Sequence, residues 1–293
     1  MEPSVTDHTA RYEILPLGKS EAEAAQLPEP VRLTVTCSPK HGPDHSVEVA
    51  GRLRDLGHAV TVHVAARMVR DADHVDELLT RMAGAGIDDL FLIGGDADPP
   101  LGAYRSAVEL LPVIAEHPRR PRSIGIGSYP EGHPLIDDAT LDEALLAKSA
   151  HADYMTTQLC FDAGTLRAWV ARQRARGIGL PVVIGMPGKV SAAKLLEMSA
   201  RIGVGPSMAF VRKQRGLRSL LGLFRRSAPD RLYDALAPEL GGELQITGFH
   251  YFTFNQLIAT YEWHSEKRSR ASGRRPLTEP AARGYRHPQE SET

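Results

Sequence analysis

Along this chain, short apolar runs rich in β-branched residues alternate with longer segments whose apolar positions recur every three or four residues. The short runs predict strands at about Arg11–Leu15, Arg32–Thr36, Ala59–Val64, Asp89–Ile93, Ser123–Ser128, Tyr154–Gln158, Val182–Gly185 and Gln245–Tyr251. The longer segments predict helices at about His45–Leu56, Asp73–Ala85, Ala103–Glu116, Leu141–Ser149, Ala163–Arg176, Ala192–Arg201, Leu217–Leu236 and Thr253–Trp263. Leu90, Phe91, Leu92 and Ile93 follow one another with no polar alternation, as strands covered on both faces of a parallel sheet do. Strand followed by helix, eight times over, predicts an α/β protein of one domain, a (β/α)8 TIM-type barrel spanning residues 11–265. An open doubly wound sheet would want a glycine fingerprint after its first strand, and LPLGKSEAEAA has no G-x-G-x-x-G. Residues 1–10 are then an N-terminal extension, and residues 266–293, polar and poor in apolar side chains, a loosely held tail.

Composition narrows the picture mainly by exclusion. Across 293 residues, 35 Lys and Arg stand against 36 Asp and Glu, so no global charge favours nucleic acid or an anionic membrane surface. No apolar stretch approaches membrane-spanning length, and the start, MEPSVTDHTA, lacks the basic and apolar parts of a signal peptide. A cytoplasmic protein is expected. Cys37 and Cys160 are too few for a Cys-rich zinc site, and no metal is expected.

A barrel reading makes position informative, because binding and chemistry belong at the carboxyl ends of the strands. In the first strand Glu13 lies one pleat short of Pro16, placed to point into the lumen. The third strand carries His63, and the fourth delivers Asp96 after Gly94 and Gly95. The fifth delivers Ser128, Tyr129, Glu131 and His133, and the sixth Thr157 and Gln158. Each has a plain structural alternative. A lone histidine among valines is ordinarily a satisfied core residue, Gln158 can bond a neighbouring backbone, Glu131 and His133 can be exposed loop residues, and Asp96 can cap a turn. Glu13 is harder to dismiss, since an unpaired buried carboxylate is costly. Convergence of five strands on one rim, more than any single residue, argues for a site there.

These residues resemble the methylenetetrahydrofolate reductase family, whose catalytic domain is a (β/α)8 barrel. The likeness runs from Tyr12 to about Trp263 and rests on YEILPLG, VTCS, GGD at Gly94–Asp96, SYPEGHP at Ser128–Pro134, Lys148 upstream of ADYMTTQLCFD, and GFHYFTFN at Gly248–Asn255. YPEGHP followed at this distance by TQ-x-x-FD is the specific part. The resemblance implies reduction of 5,10-methylenetetrahydrofolate to 5-methyltetrahydrofolate with a nicotinamide donor, usually relayed by FAD. It makes Glu13 the general acid that opens the methylene bridge, a task suited to a carboxyl kept protonated by an apolar setting. Asp96 and Gln158 would hold the pterin, Asp96 at the reacting end as well; Gln256 falls where the folate tail is met. Thr36, His63, Tyr129, His133 and Lys148 fall where the family lines its flavin pocket.

The departures from the family pattern cluster on the flavin. An arginine of the GGD region is Gly94 here, and an Asn and an Arg that grip the flavin's phosphate and sugar are Ala144 and Ala147; apart from these, an arginine of the last strand's loop is Gln256, which bears on how the folate tail is met. Losing charged hydrogen bonds removes the strong part of diphosphate binding. Two alternatives follow: FAD held by other contacts, or hydride passed directly from NADH or NADPH to folate, to which the retained acid and pterin holders incline the balance. A folate-dependent methyltransferase or demethylase on the same barrel is a further alternative. Finally, residues 198–229 contain no acidic side chain but include Arg201, Arg212, Lys213, Arg215, Arg218, Arg225 and Arg226. That segment is either a solvated helix face or a basic lip attracting the folate tail or the donor's diphosphate.

Overall fold

The computed structural model describes residues 7, 9–16, 19–133, 135–190 and 228–271. Eight strands, β1 (Ala10–Ile14), β2 (Arg32–Val35), β3 (Ala59–Ala65), β4 (Asp89–Ile93), β5 (Ser123–Ser128), β6 (Tyr154–Thr157), β7 (Val182–Pro187) and β8 (Ile246–Phe252), close into a barrel in chain order. Every neighbouring pair is parallel, β8 closing on β1 through Glu13 opposite Phe252. Around it lie α1 (Ser20–Ala24), α2 (Gly42–Asp55), α3 (Ala72–Gly84), α4 (Ala107–Ala115), α5 (Asp138–Ser149), α6 (Ala163–Ala175), α7 (Ala228–Leu236) and α8 (Leu257–Ala271). The (β/α)8 architecture expected from the hydrophobic pattern is therefore the one observed.

Several boundaries moved, each for a local reason. Helix α4 starts at Ala107 rather than Ala103 because Ser106 caps it by accepting from the Glu109 amide, while Leu101 and Ala103 donate to the Arg67 and Arg70 carbonyls. Helix α8 starts at Leu257 rather than Thr253 because Phe254 and Asn255 take φ of 48° and 57°. Asn255 is tied there to both backbone groups of Leu15. The same helix runs on to Ala271, so residues 266–271 are helical although their composition reads as tail; Lys267 pairs with Asp230 and Asp234, and Arg268 with Asp7. The helix expected at Ala192–Arg201, the first part of the one expected at Leu217–Leu236, and the basic segment lie outside the described residues.

Alternation along each strand divides the barrel into two environments. Val60, Val62, Val64, Leu90, Leu92 and Ile126 face outward and are buried beneath the helices. Each such side chain contributes roughly 1.5–3 kcal/mol by leaving water, so the shell between sheet and helices carries stability. The inward positions hold polar groups together with a small apolar cluster of Phe91, Tyr154 and Val183. Low in the lumen, Arg11 Nη1 donates to Asp89 Oδ2 and to the Tyr154 hydroxyl, both at 2.8 Å, with its guanidinium over the Tyr154 ring at 4.2 Å. Thr61 and Tyr154 hydroxyls also donate to Asp89. This buried carboxylate thus has three donors from three other strands, and it closes the floor of the lumen.

Candidate functional site

Above that floor, the inward positions nearer the carboxyl ends hold titratable and hydrogen-bonding groups. Glu13 of β1 shares a hydrogen bond of 3.1 Å between its Oε2 and Nε2 of His250 on β8. His250 is 3% exposed, its ring stacked near parallel to that of His63 with centroids 6.5 Å apart, and His63 in turn lies 4.7 Å from Phe91. Burial pushes the His63 pKa down to about 4, with Glu13 opposing, so His63 is neutral at ordinary pH. Thr34 stands beside Glu13 in the β1–β2 register.

Three polar atoms of this upper layer are buried without a hydrogen-bond partner: Thr34 Oγ1, Thr36 Oγ1 and His63 Nε2. Buried polar groups are normally satisfied, and a set of orphans on neighbouring strands is what a site built for a polar ligand leaves behind. On β5, Gly127 borders free space: the nearest atoms to where a Cβ would stand, from Phe91 and Tyr129, are 4.0 Å away.

The rim is built by loops. Gly95 takes φ of +85°, and a Cβ there would come 2.7 Å from that of Ala65, so the turn that carries Asp96 out of β4 needs glycine. Asp96 is exposed and acts electrostatically on Tyr129 and His133, which contact each other edge to face at 5.3 Å. Burial, then the Asp96 charge, raises the Tyr129 pKa; burial lowers that of His133, with Asp96 opposing. Lys148 comes from α5 but is buried, its Nζ donating to the Gly127 carbonyl at 3.0 Å, and burial lowers its pKa to about 8.

Two groups of expected residues are thus brought together, Glu13 with His63 in the lumen and Asp96 with Tyr129 and His133 at the rim. Gln158 is exposed and its side-chain oxygen accepts from the Leu159 amide, while Gln256 lies at the start of α8, its carbonyl accepting from Thr260. Glu131 is partly buried and linked to Cys160; burial raises its pKa, against that hydrogen bond. His250 was not among the expected residues. Its signal lay in GFHYF, where Phe249 and Tyr251 share the outward face and leave His250 on the side of the lumen. Among the described residues, no three or more His, Cys, Asp or Glu side chains are grouped to hold a metal, and no helix is long and apolar enough to cross a membrane.

Fold and site together define a (β/α)8-barrel protein with a titratable, hydrogen-bonding lumen that opens at the carboxyl ends of its strands, the end where barrel enzymes bind and act. The chain belongs to the methylenetetrahydrofolate reductase family, whose model matches residues 23–265. Glu13 precedes that span. Among curated relatives, the chain is 31% identical over 122 residues to methylenetetrahydrofolate reductase 1 of Schizosaccharomyces pombe, covering 38% of this chain and 20% of that one. It is 28% identical over 133 residues to methylenetetrahydrofolate reductase 2 of Saccharomyces cerevisiae, covering 41% and 22%. The matches therefore span about a fifth of those relatives' length. Among solved structures, a protein from Clostridium thermocellum described as binding two copies of 5-methyl-5,6,7,8-tetrahydrofolic acid shares the fold, with a TM-score of 0.57 at 13% identity over 89% of this chain and 92% of that one.

Proposed function

We propose that this protein reduces 5,10-methylenetetrahydrofolate to 5-methyltetrahydrofolate, with hydride taken directly from NADH or NADPH. The observation that carries this reading is the Glu13–His250 pair, set in the lumen beside the orphaned Thr34, Thr36 and His63 atoms. Glu13 gives a proton to the departing nitrogen of the methylene bridge, and the C–N electron pair goes to that nitrogen. The iminium carbon left behind accepts hydride from the nicotinamide C4 and becomes the methyl group. His250 holds the Glu13 carboxyl in place, and the consumed proton is restored from solvent. Asp96 and Gln158, at the rim, meet the pterin's donor and acceptor edge, and Gln256 the folate tail.

Residues that suit a flavin ring are present in Thr36, His63, Tyr129 and His133, but α5 does not suit a flavin diphosphate. The basic side chain in its last turn, Lys148, is tied to the Gly127 carbonyl, and Ala144 and Ala147 offer no hydrogen bond. The Thr36, Tyr129 and His133 side chains are assigned instead to the nicotinamide donor, which must lie against the folate carbon for direct transfer. Membership of the reductase family and the folate described in the Clostridium neighbour support the substrate class.

The test is steady-state kinetics on protein purified without added flavin. It should be colourless, oxidise NADH or NADPH only with methylenetetrahydrofolate, and give intersecting double-reciprocal lines, the sign of a ternary complex. Parallel lines, or activity that appears only with FAD, would assign a flavin relay. Folate binding with no nicotinamide oxidation under either condition would point to methyl transfer instead.

A further inference from the structure

Asp96 stands on the segment that joins β4 to α4, residues 94–106, which is neither helix nor strand. Among the described residues its carboxylate makes no hydrogen bond or ion pair, so the backbone beneath it decides where it sits. That backbone is gripped by one residue of the neighbouring loop. Arg67 follows β3, in the single helical turn Ala66–Met68. Its amide donates to the Gly94 carbonyl at 2.9 Å, and its carbonyl accepts from the Leu101 amide at 2.8 Å. Its guanidinium spreads over the same loop: Nε donates to the Ala97 carbonyl at 2.6 Å, Nη2 to Asp98 Oδ1 at 3.1 Å and Nη1 to the Arg105 carbonyl at 3.4 Å. Anchors at Gly94 and Ala97 thus bracket Asp96.

The chemistry of the grip is particular to arginine. Three acceptors are met by three nitrogens of one planar group, which a lysine with its single nitrogen cannot do. The Asp98 carboxylate is 87% exposed, so that ion pair adds little, and the charged donors on backbone carbonyls are the stronger part. The two loops also lie flush. Ala103 donates to the Arg70 carbonyl at 3.0 Å, and a Cβ on Gly102 would run into that same oxygen.

We infer that Arg67 is the positioning residue for Asp96, holding the loop after β4 so that the carboxylate keeps one place at the mouth of the barrel. What Asp96 meets there rests on the folate reading; the grip itself does not. Without it Asp96 is spread over several positions, and apparent affinity falls by the fraction of molecules with the carboxylate in place.

The experiment compares the full chain with Arg67→Met and Arg67→Lys, each alone and combined with Asp96→Asn, by methylenetetrahydrofolate titration, steady-state kinetics, urea unfolding and amide hydrogen exchange. Arg67→Met keeps the apolar stem and removes the donors. It should raise the folate Kd and KM about tenfold while the KM for the nicotinamide donor stays within about twofold, and Arg67→Lys, with one donor left, should recover part of the loss. Exchange at the Leu101 and Ala103 amides should quicken by about tenfold, with the strand amides of the barrel unchanged. In the Asp96→Asn background the same change at Arg67 should cost about twofold or less in folate affinity, since little is left to place. Should Arg67→Met not fold, Arg67→Lys carries each comparison. Parental folate affinity in the Arg67 variants overturns the proposal, and so does an equal loss with and without the Asp96 carboxylate. If the parent itself binds no folate, that reading falls separately and exchange decides: faster rates at Leu101 and Ala103 uphold the grip, and unchanged rates overturn it.

Discussion

Glu13 and His250 form the pair on which the proposed chemistry turns, and they separate by test. Glu13→Gln keeps the side chain's shape and a hydrogen bond to His250 but has no proton to give, so turnover should fall by a factor of about 10² or more while folate affinity stays within a few-fold. A near-normal rate would remove Glu13 from the mechanism. His250→Ala should lower kcat more than it raises KM, because the Glu13 carboxyl loses the hydrogen bond that holds it in place, and His250→Gln, which keeps a donor there, should restore part of the rate; a simple loss of stability would scale with the urea midpoint and leave kcat per folded enzyme unchanged. Asp96 differs in kind. It is exposed, so Asp96→Asn should leave the urea midpoint unmoved yet weaken folate binding, since the amide accepts at one oxygen where the carboxylate accepts at two. Unchanged folate affinity would make it a turn residue, a position asparagine fills as well.

At the scale of elements, the close approach of β5 and β6 shows how the lumen is shaped. A Cβ on Gly125 would stand 2.2 Å from Cζ of Tyr154, whose hydroxyl binds Arg11 and Asp89. Gly125→Ala should therefore push that ring away and disturb the network beneath the site, costing about 1–3 kcal/mol or more in urea unfolding. In a Tyr154→Ala background the added methyl should cost much less. Equal costs in both backgrounds would show that the ring is not what the glycine accommodates. The outward faces of the same strands were readable from their valines, leucines and isoleucines. The inward faces were less so, since an isolated Arg11, Thr34 or His250 in a short run does not announce which strand it will meet across the barrel.

The whole molecule carries a pH dependence in two buried histidines. His63 and His264 are each held to a pKa of about 4, chiefly by burial, against about 6.5 when unfolded. Between those values the unfolded chain binds more protons than the folded one, so stability rises with pH across the window and is lost as the solution is acidified from about 6.5 towards 4. At pH 5 the loss is on the order of 2 kcal/mol per histidine. Urea midpoints at pH 7 and pH 5 measure it, and His63→Gln should remove about half of the difference. A variant that loses as much as the parent on acidification would place the acid sensitivity elsewhere.

What the sequence determined by itself was the order of elements and hence the barrel, because the periodicities of strand and helix are local and eight repeats of the pair have few ways to close. It also placed Asp96, Tyr129 and His133 on one rim, since the ends of parallel strands all point one way. Tertiary structure alone decided which lumen groups meet. His250 and Glu13 lie 237 positions apart and touch because β8 closes on β1. Lys148, placed by its motif at a cofactor, is turned inward to the Gly127 carbonyl, and Arg67, just after β3, grips the loop that follows β4. Such pairings depend on closure and register, which act between segments distant in the chain, so no stretch of sequence holds them.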